Sequence, residues 1–138
     1  MADQIAKTTS AVTVVIKQLP NCDLIFASDP AQKMRKSDAT LGWSFREFIN
    51  DPNHDPMWLT NIVMVKAAAQ CIRATEEFLE TRGIIKTNGW VISGASKRGW
   101  TALLLGSANQ TISGVKVVGL APLVPIMPDL KKAVHRQW

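Results

Sequence analysis

The apolar positions of this chain fall into short unbroken runs separated by longer stretches at helical spacing. Ala11-Val12-Thr13-Val14-Val15-Ile16 is a mostly β-branched run without alternation, the pattern of a strand buried on both faces of a parallel sheet. Pro20-Asn21 ends it. Ser37-Asp38 offers a helix start, and Leu41, Phe45 and Phe48 place an apolar stripe along that helix. Asn50-Asp51-Pro52-Asn53 breaks it. A longer helix is predicted from Asp55, with Asp55 as cap, Pro56 at the first helical position, and Ile62, Val65, Ala69, Ile72 and Leu79 on one side. Gly83 supplies its stop. Trp90 to Ser93 predicts a second strand, Lys97 to about Ser107 a further helix, and Val115 to Leu120 a third strand. Strand, two helices, strand, helix, strand is the alternation that builds a sheet with helices on its faces. The expected fold class is therefore α/β, a doubly wound, mostly parallel sheet with flanking helices.

Chemistry enters at Gly94-Ala95-Ser96-Lys97-Arg98-Gly99, between the strand pattern ending at Ser93 and the helix pattern that follows. Strand, sharp turn and helix with a serine at the apex is the arrangement of a nucleophile elbow, in which the turn holds the serine hydroxyl clear of the sheet. Gly94 and Ala95 leave room for strand and helix to approach. Gly99, three residues after the serine, takes the place of the glycine that the commonest elbow carries two residues after it. Other glycine-turn chemistries fit less well. A dinucleotide fingerprint needs glycine where Ser96 stands and an acid about 20 positions on, and Lys116 to Met127 contains no acid. A P-loop needs Lys and Ser or Thr directly after its second glycine, but Gly99 is followed by Trp100-Thr101. A plain strand-to-helix connection is the alternative reading.

The elbow resembles that of the PhoPQ-activated pathogenicity-related proteins, a family that includes autocrine proliferation repressors and whose members look like α/β-hydrolases. The same resemblance runs through Lys17-Gln18-Leu19-Pro20-Asn21, Phe26-Ala27-Ser28-Asp29, Ser37-Asp38-Ala39 and Asn61-Ile62-Val63-Met64-Val65-Lys66-Ala67-Ala68. It is most specific at Gly94 to Trp100, through the Lys97-Arg98 pair after the serine. Glucuronoyl esterases use a similar serine-basic-x-glycine elbow, an analogy of site rather than of substrate. The chain departs from the family in Pro122-Leu123-Val124-Pro125-Ile126, where relatives tend to carry an Asp shortly after the proline. The resemblance implies that residues 1–138 form one partial α/β-hydrolase-like domain, with the elbow at 90–106 and the N- and C-terminal parts of the family domain outside the chain.

Two function classes follow. In the first, Ser96 is the nucleophile of acyl (ester or amide) hydrolysis, the backbone N–H of Lys97 donates to the oxyanion, and the fragment by itself is inactive. Lys97 and Arg98 side chains beside the serine suit a substrate carboxylate, with Arg98 the named contact. Positive charge at a helix start opposes the helix dipole, which argues for a reason to be there. Of the remaining acids and histidines, His54 sits in a Pro/Asn/Asp loop before the serine, while Asp129 and His135 follow it in triad order on one short segment. A surface helix is the expected role of that segment. In the second class the chain is a non-catalytic signalling or interaction protein on a hydrolase scaffold, with a protein partner.

Composition narrows the rest. Net charge is +5, from 16 Lys and Arg against 11 Asp and Glu. The basic residues are scattered among acids, so no nucleic-acid stripe is expected. No apolar run reaches membrane-spanning length, and no metal-ligand spacing or cofactor motif is present. Cys22 and Cys71 are expected as free thiols. Met1-Ala2-Asp3-Gln4 lacks the basic-then-apolar pattern of a signal peptide. Members of the family are often secreted, so the compartment stays open. Trp43, Trp58, Trp90 and Trp100 either line a sugar- or aromatic-binding surface or fill the core, the commoner use at helical and strand positions.

Overall fold

A computed structural model describes residues 2–19, 22–84, 87–108 and 114–123. The elements run α1 (Ala2–Thr9), α2 (Asp38–Asn50), a 3-10 turn (Pro56–Trp58), α3 (Thr60–Thr81), β1 (Trp90–Ala95), α4 (Lys97–Ser107) and β2 (Val117–Leu123). The fold among these residues mixes helix and strand, with four helices and one two-stranded parallel sheet. That sheet stands in place of the three-stranded one that the apolar pattern predicts.

β1 and β2 pair in parallel from Trp90↔Val117 to Ala95↔Leu123, with a register shift between Trp90 and Val91. One face of the pair is covered by α4, and α3 packs on α4 and reaches β1 where Glu76 accepts the Trp90 indole N–H. The core sits there: Ala68, Ala69 and Ile72 of α3, Leu105 of α4 and Val115, with Val65, Trp90, Ile92 and Val117 packed against them. Small residues let α4 come close. A side chain on Gly106 would fall 2.6 Å from the Leu120 side chain, so α4 rests directly on β2. The opposite face presents Val91, 68% exposed, and Leu123, 69% exposed.

Four expectations are corrected. Ala11 to Ile16 is not a strand, for residues 12–18 carry no regular structure and Val15 is 57% exposed. β-branched composition favours extended backbone, but a strand requires a ladder partner for its N–H and C=O groups, and this run has none among the described residues. The helix predicted from Asp55 is two pieces. Asp55 does cap, accepting the Met57 N–H at 2.9 Å, but the turn is 3-10 and extended backbone at Leu59 separates it from α3. The third strand begins at Val117 and not at Val115, because its pairing with β1 starts at Trp90↔Val117.

The buried side of α2 is Thr40, Leu41, Trp43 and Ser44, not the Leu41, Phe45, Phe48 stripe. Trp43 decides this. Arg35 and Arg46 lie over its ring at 3.8 and 4.5 Å, and Phe26 packs at 6.2 Å. Arg35 is in turn held by buried Asp29, whose carboxylate also accepts the N–H groups of Ala31 and Lys33 at 3.0 and 2.9 Å. The loop before α2 is thus folded over the helix. α1 is an addition to the expected elements; it buries no residue, and an exposed Asp3–Lys7 pair at 3.0 Å lies along it. Gly83, at φ +68, ends α3 as expected.

Candidate functional site

The backbone of the Ser96 turn is held by backbone hydrogen bonds at both ends. β1 ends at Ala95, α4 starts at Lys97, and the chain reverses between them at Ser96 with φ 56 and ψ −124. A side chain with Cβ disfavours positive φ, at a strain of about 1–3 kcal/mol, so something must hold it. Two hydrogen bonds do. The Ser96 N–H donates to the Leu123 carbonyl at 2.8 Å, and the Ser96 carbonyl accepts from the Trp100 N–H at 3.2 Å. The first ties the turn to the end of β2, the second to the first turn of α4.

Gly94 makes this turn possible. A Cβ there would lie 2.5 Å from the Arg98 carbonyl oxygen and 2.6 Å from its carbonyl carbon, which no rotamer change can relieve. Gly99 is buried one turn into α4. At the helix N-cap a serine commonly turns its hydroxyl back onto the helix N–H groups. Ser96 makes no such capping bond, and its side chain is exposed. No side chain among the described residues hydrogen-bonds its hydroxyl. Beside it, Lys97 opens α4, so its N–H is one of those that helix geometry leaves without an intrahelical partner.

The Lys97 side chain is turned into the protein. It is 5% exposed, its ammonium donates to the Ser37 hydroxyl, and it lies 3.8 Å from the Asp38 carboxylate at the start of α2. Burial pushes its pKa below the usual lysine value, Asp38 opposes that, and Arg98 adds to it. Arg98 is half-buried and makes no ion pair among the described residues. Ser37, read in the sequence only as a helix start, has the same unusual backbone as Ser96, φ 56 and ψ −115, and likewise makes no capping bond. Nothing in the local pattern around Ser37 signals a contact with Lys97.

His54 belongs to its loop: its Nδ1 lies 3.1 Å from the Phe48 carbonyl and its ring rests on Phe48. Asp129 and His135 lie outside the described residues. Trp43 is in the core and Trp100 is 48% exposed one turn after Ser96. Cys22 and Cys71 are free thiols. Among the described residues no group of three or more His, Cys, Asp or Glu gathers as metal ligands, and no helix is long and apolar enough to cross a membrane.

The family model described as PhoPQ-activated pathogenicity-related protein matches residues 1–138. The chain belongs to this family. Within the PhoPQ-related proteins it is similar to autocrine proliferation repressor protein A of Dictyostelium discoideum, with 32% identity over 123 residues. That match covers 89% of this chain and 24% of the relative, so the PhoPQ-related segment described here spans about a quarter of the relative's length. No solved structure matches the chain.

Proposed function

We propose that this chain carries the nucleophile turn of a serine hydrolase of α/β-hydrolase type, acting on an ester or amide bond. The observation that supports it most is the Ser96 backbone, held at φ 56 and ψ −124 between a parallel strand and a helix, at an exposed residue whose hydroxyl makes no capping bond. Strain retained at a polar, exposed residue points to a use for that residue. In this reading β1, α4 and β2 are one unit of a larger doubly wound sheet.

The chemistry is nucleophilic acyl transfer. Ser96 Oγ attacks the carbonyl carbon and loses its proton to a base supplied from outside the described residues, and the carbonyl oxygen becomes an oxyanion. The Lys97 N–H, at the positive end of α4, donates to that oxyanion. In this reading Arg98 meets a carboxylate on the substrate. The test is covalent labelling of the intact protein with a fluorophosphonate probe. Labelling at Ser96 that disappears in Ser96→Ala supports the assignment, and labelling that persists in that variant overturns it.

The second reading rests on the relative. Its name describes repression of proliferation, and 32% identity along the shared segment allows a signalling or interaction role on the same scaffold. A folded intact protein that takes no probe at any serine would favour this reading.

A further inference from the structure

The Lys97 ammonium is in an unexpected place. An exposed lysine beside the turn would keep its hydration by pointing outward. Here the side chain runs inward to the N-terminal ends of two helices, its own α4 and the neighbouring α2, where both helix dipoles disfavour a cation and burial removes water. Among the described residues only Asp38, with a side chain 58% exposed, opposes these terms by charge. Such an arrangement persists only where the surrounding geometry needs it.

The contact spans 60 positions of sequence and joins two serines' turns of matching backbone. Its far end is firm, because α2 is fixed by buried Leu41 and by Trp43 under two guanidinium groups. The carbonyl side of Lys97 is fixed as well: its oxygen accepts the Thr101 hydroxyl at 3.0 Å, and that hydroxyl also lies 3.8 Å from the Met64 sulfur of α3. Side chain and carbonyl of one residue are thus anchored to different elements. The N–H of that same residue, first in α4 and next to Ser96, is one of those that helix geometry leaves without an intrahelical partner.

We propose that Lys97 is a positioning residue whose buried ammonium, through Ser37 and Asp38, moors the serine turn to the N-terminal end of α2 and so aims the Lys97 N–H. The inference rests on the hydrolase reading for its effect on reactivity, but the mooring itself can be measured separately. It also assigns Ser37 a use: its hydroxyl holds a cation instead of capping its helix.

The test compares the intact protein with Lys97→Met, Lys97→Arg and Ser37→Ala. Two quantities are read: the rate and saturation of fluorophosphonate labelling at Ser96, and amide hydrogen exchange over residues 96–101. Lys97→Met should slow the maximal labelling rate by about tenfold or more, the scale on which small misplacements of a reacting group act. The probe concentration at half-saturation should stay the same. Ser37→Ala, which removes one surface-proximal hydroxyl and keeps the core, should slow labelling less, and Lys97→Arg should recover part of the loss. Exchange over 96–101 should quicken in Lys97→Met and Ser37→Ala. Wild-type labelling and wild-type exchange in both variants would overturn the mooring. If the wild-type protein takes no probe, the hydrolase reading fails, and exchange alone decides: faster exchange in the two variants supports the mooring, and unchanged exchange overturns it.

Discussion

Two glycines in this chain should answer the same substitution with opposite signs. At Gly94 the added methyl of alanine would stop about 0.9 Å short of ordinary van der Waals distance from the Arg98 carbonyl oxygen. Because the obstacle is backbone, α4 must shift away from β1. Overpacking of this kind costs about 1–3 kcal/mol. Loss of glycine's freedom in the unfolded chain returns about 0.4–1 kcal/mol. The net expectation for Gly94→Ala is a destabilisation of about 1–2 kcal/mol, within the range of those two terms. Gly42 is the control, since it lies within α2 with no atom inside 4 Å of its added Cβ. Gly42→Ala should stabilise by about 1 kcal/mol through helix propensity alone. Urea unfolding of the intact protein measures both as midpoint shifts at constant slope. Gly94→Ala should also slow probe labelling of Ser96, and Gly42→Ala should leave it unchanged. Equal stability shifts of the same sign at the two positions would refute the claim that close approach of β1 and α4, rather than backbone freedom, requires Gly94.

Other expectations follow from the packing. Leu105→Ala, at a fully buried position of the α3–α4 core, should lower stability by about 2–5 kcal/mol in the same unfolding assay. Trp90→Phe removes the indole N–H that reaches Glu76 at 2.8 Å and should cost about 1.5 kcal/mol, recovered in part by pairing it with Glu76→Leu in a double-mutant cycle. Asp29 has its pKa lowered, first by the hydrogen bond from Arg35; the stability it contributes is complete above the ordinary carboxylate value of 3.8 and is lost as pH falls through its lower folded value. Acid unfolding should therefore lose that component in Asp29→Asn. Expressed alone, residues 1–138 should fail to give a sharp monomeric melt, because Val91 and Leu123 lie bare on one sheet face. A two-state melt of a monomer would show the segment to be an autonomous domain.

What could be read from sequence was local. α4 begins at Lys97 and ends at Ser107 as its pattern predicts, and β1 starts at Trp90, because small residues, a strand pattern and a helix pattern meet within a few positions. Asp55 caps and Gly83 stops for the same reason: cap chemistry acts over two or three residues. Misreadings came where the partner is distant. Val12 to Ile16 has the composition of a strand, but pairing is a tertiary property. The stripe of α2 turned toward Trp43 because Arg35 and Phe26, from the loop before it, cover that side. At the site, the strand, sharp turn and helix around Ser96 followed from the motif. The destination of the Lys97 side chain did not, because its partners Ser37 and Asp38 come from another helix and carry no spacing signal.

The bond from the Ser96 N–H to the Leu123 carbonyl has a consequence for biosynthesis. Ser96 leaves the ribosome before the residue that locks it, and at ordinary elongation rates the interval is about one to five seconds. During that time the nascent turn has no β2 to close against, and its backbone relaxes to the common negative-φ basins. The strained geometry is therefore not encoded in the hexapeptide that carries it. It is installed late, when parallel pairing with the next strand locks it in place, so a chain stalled before Leu123 presents the serine without the conformation.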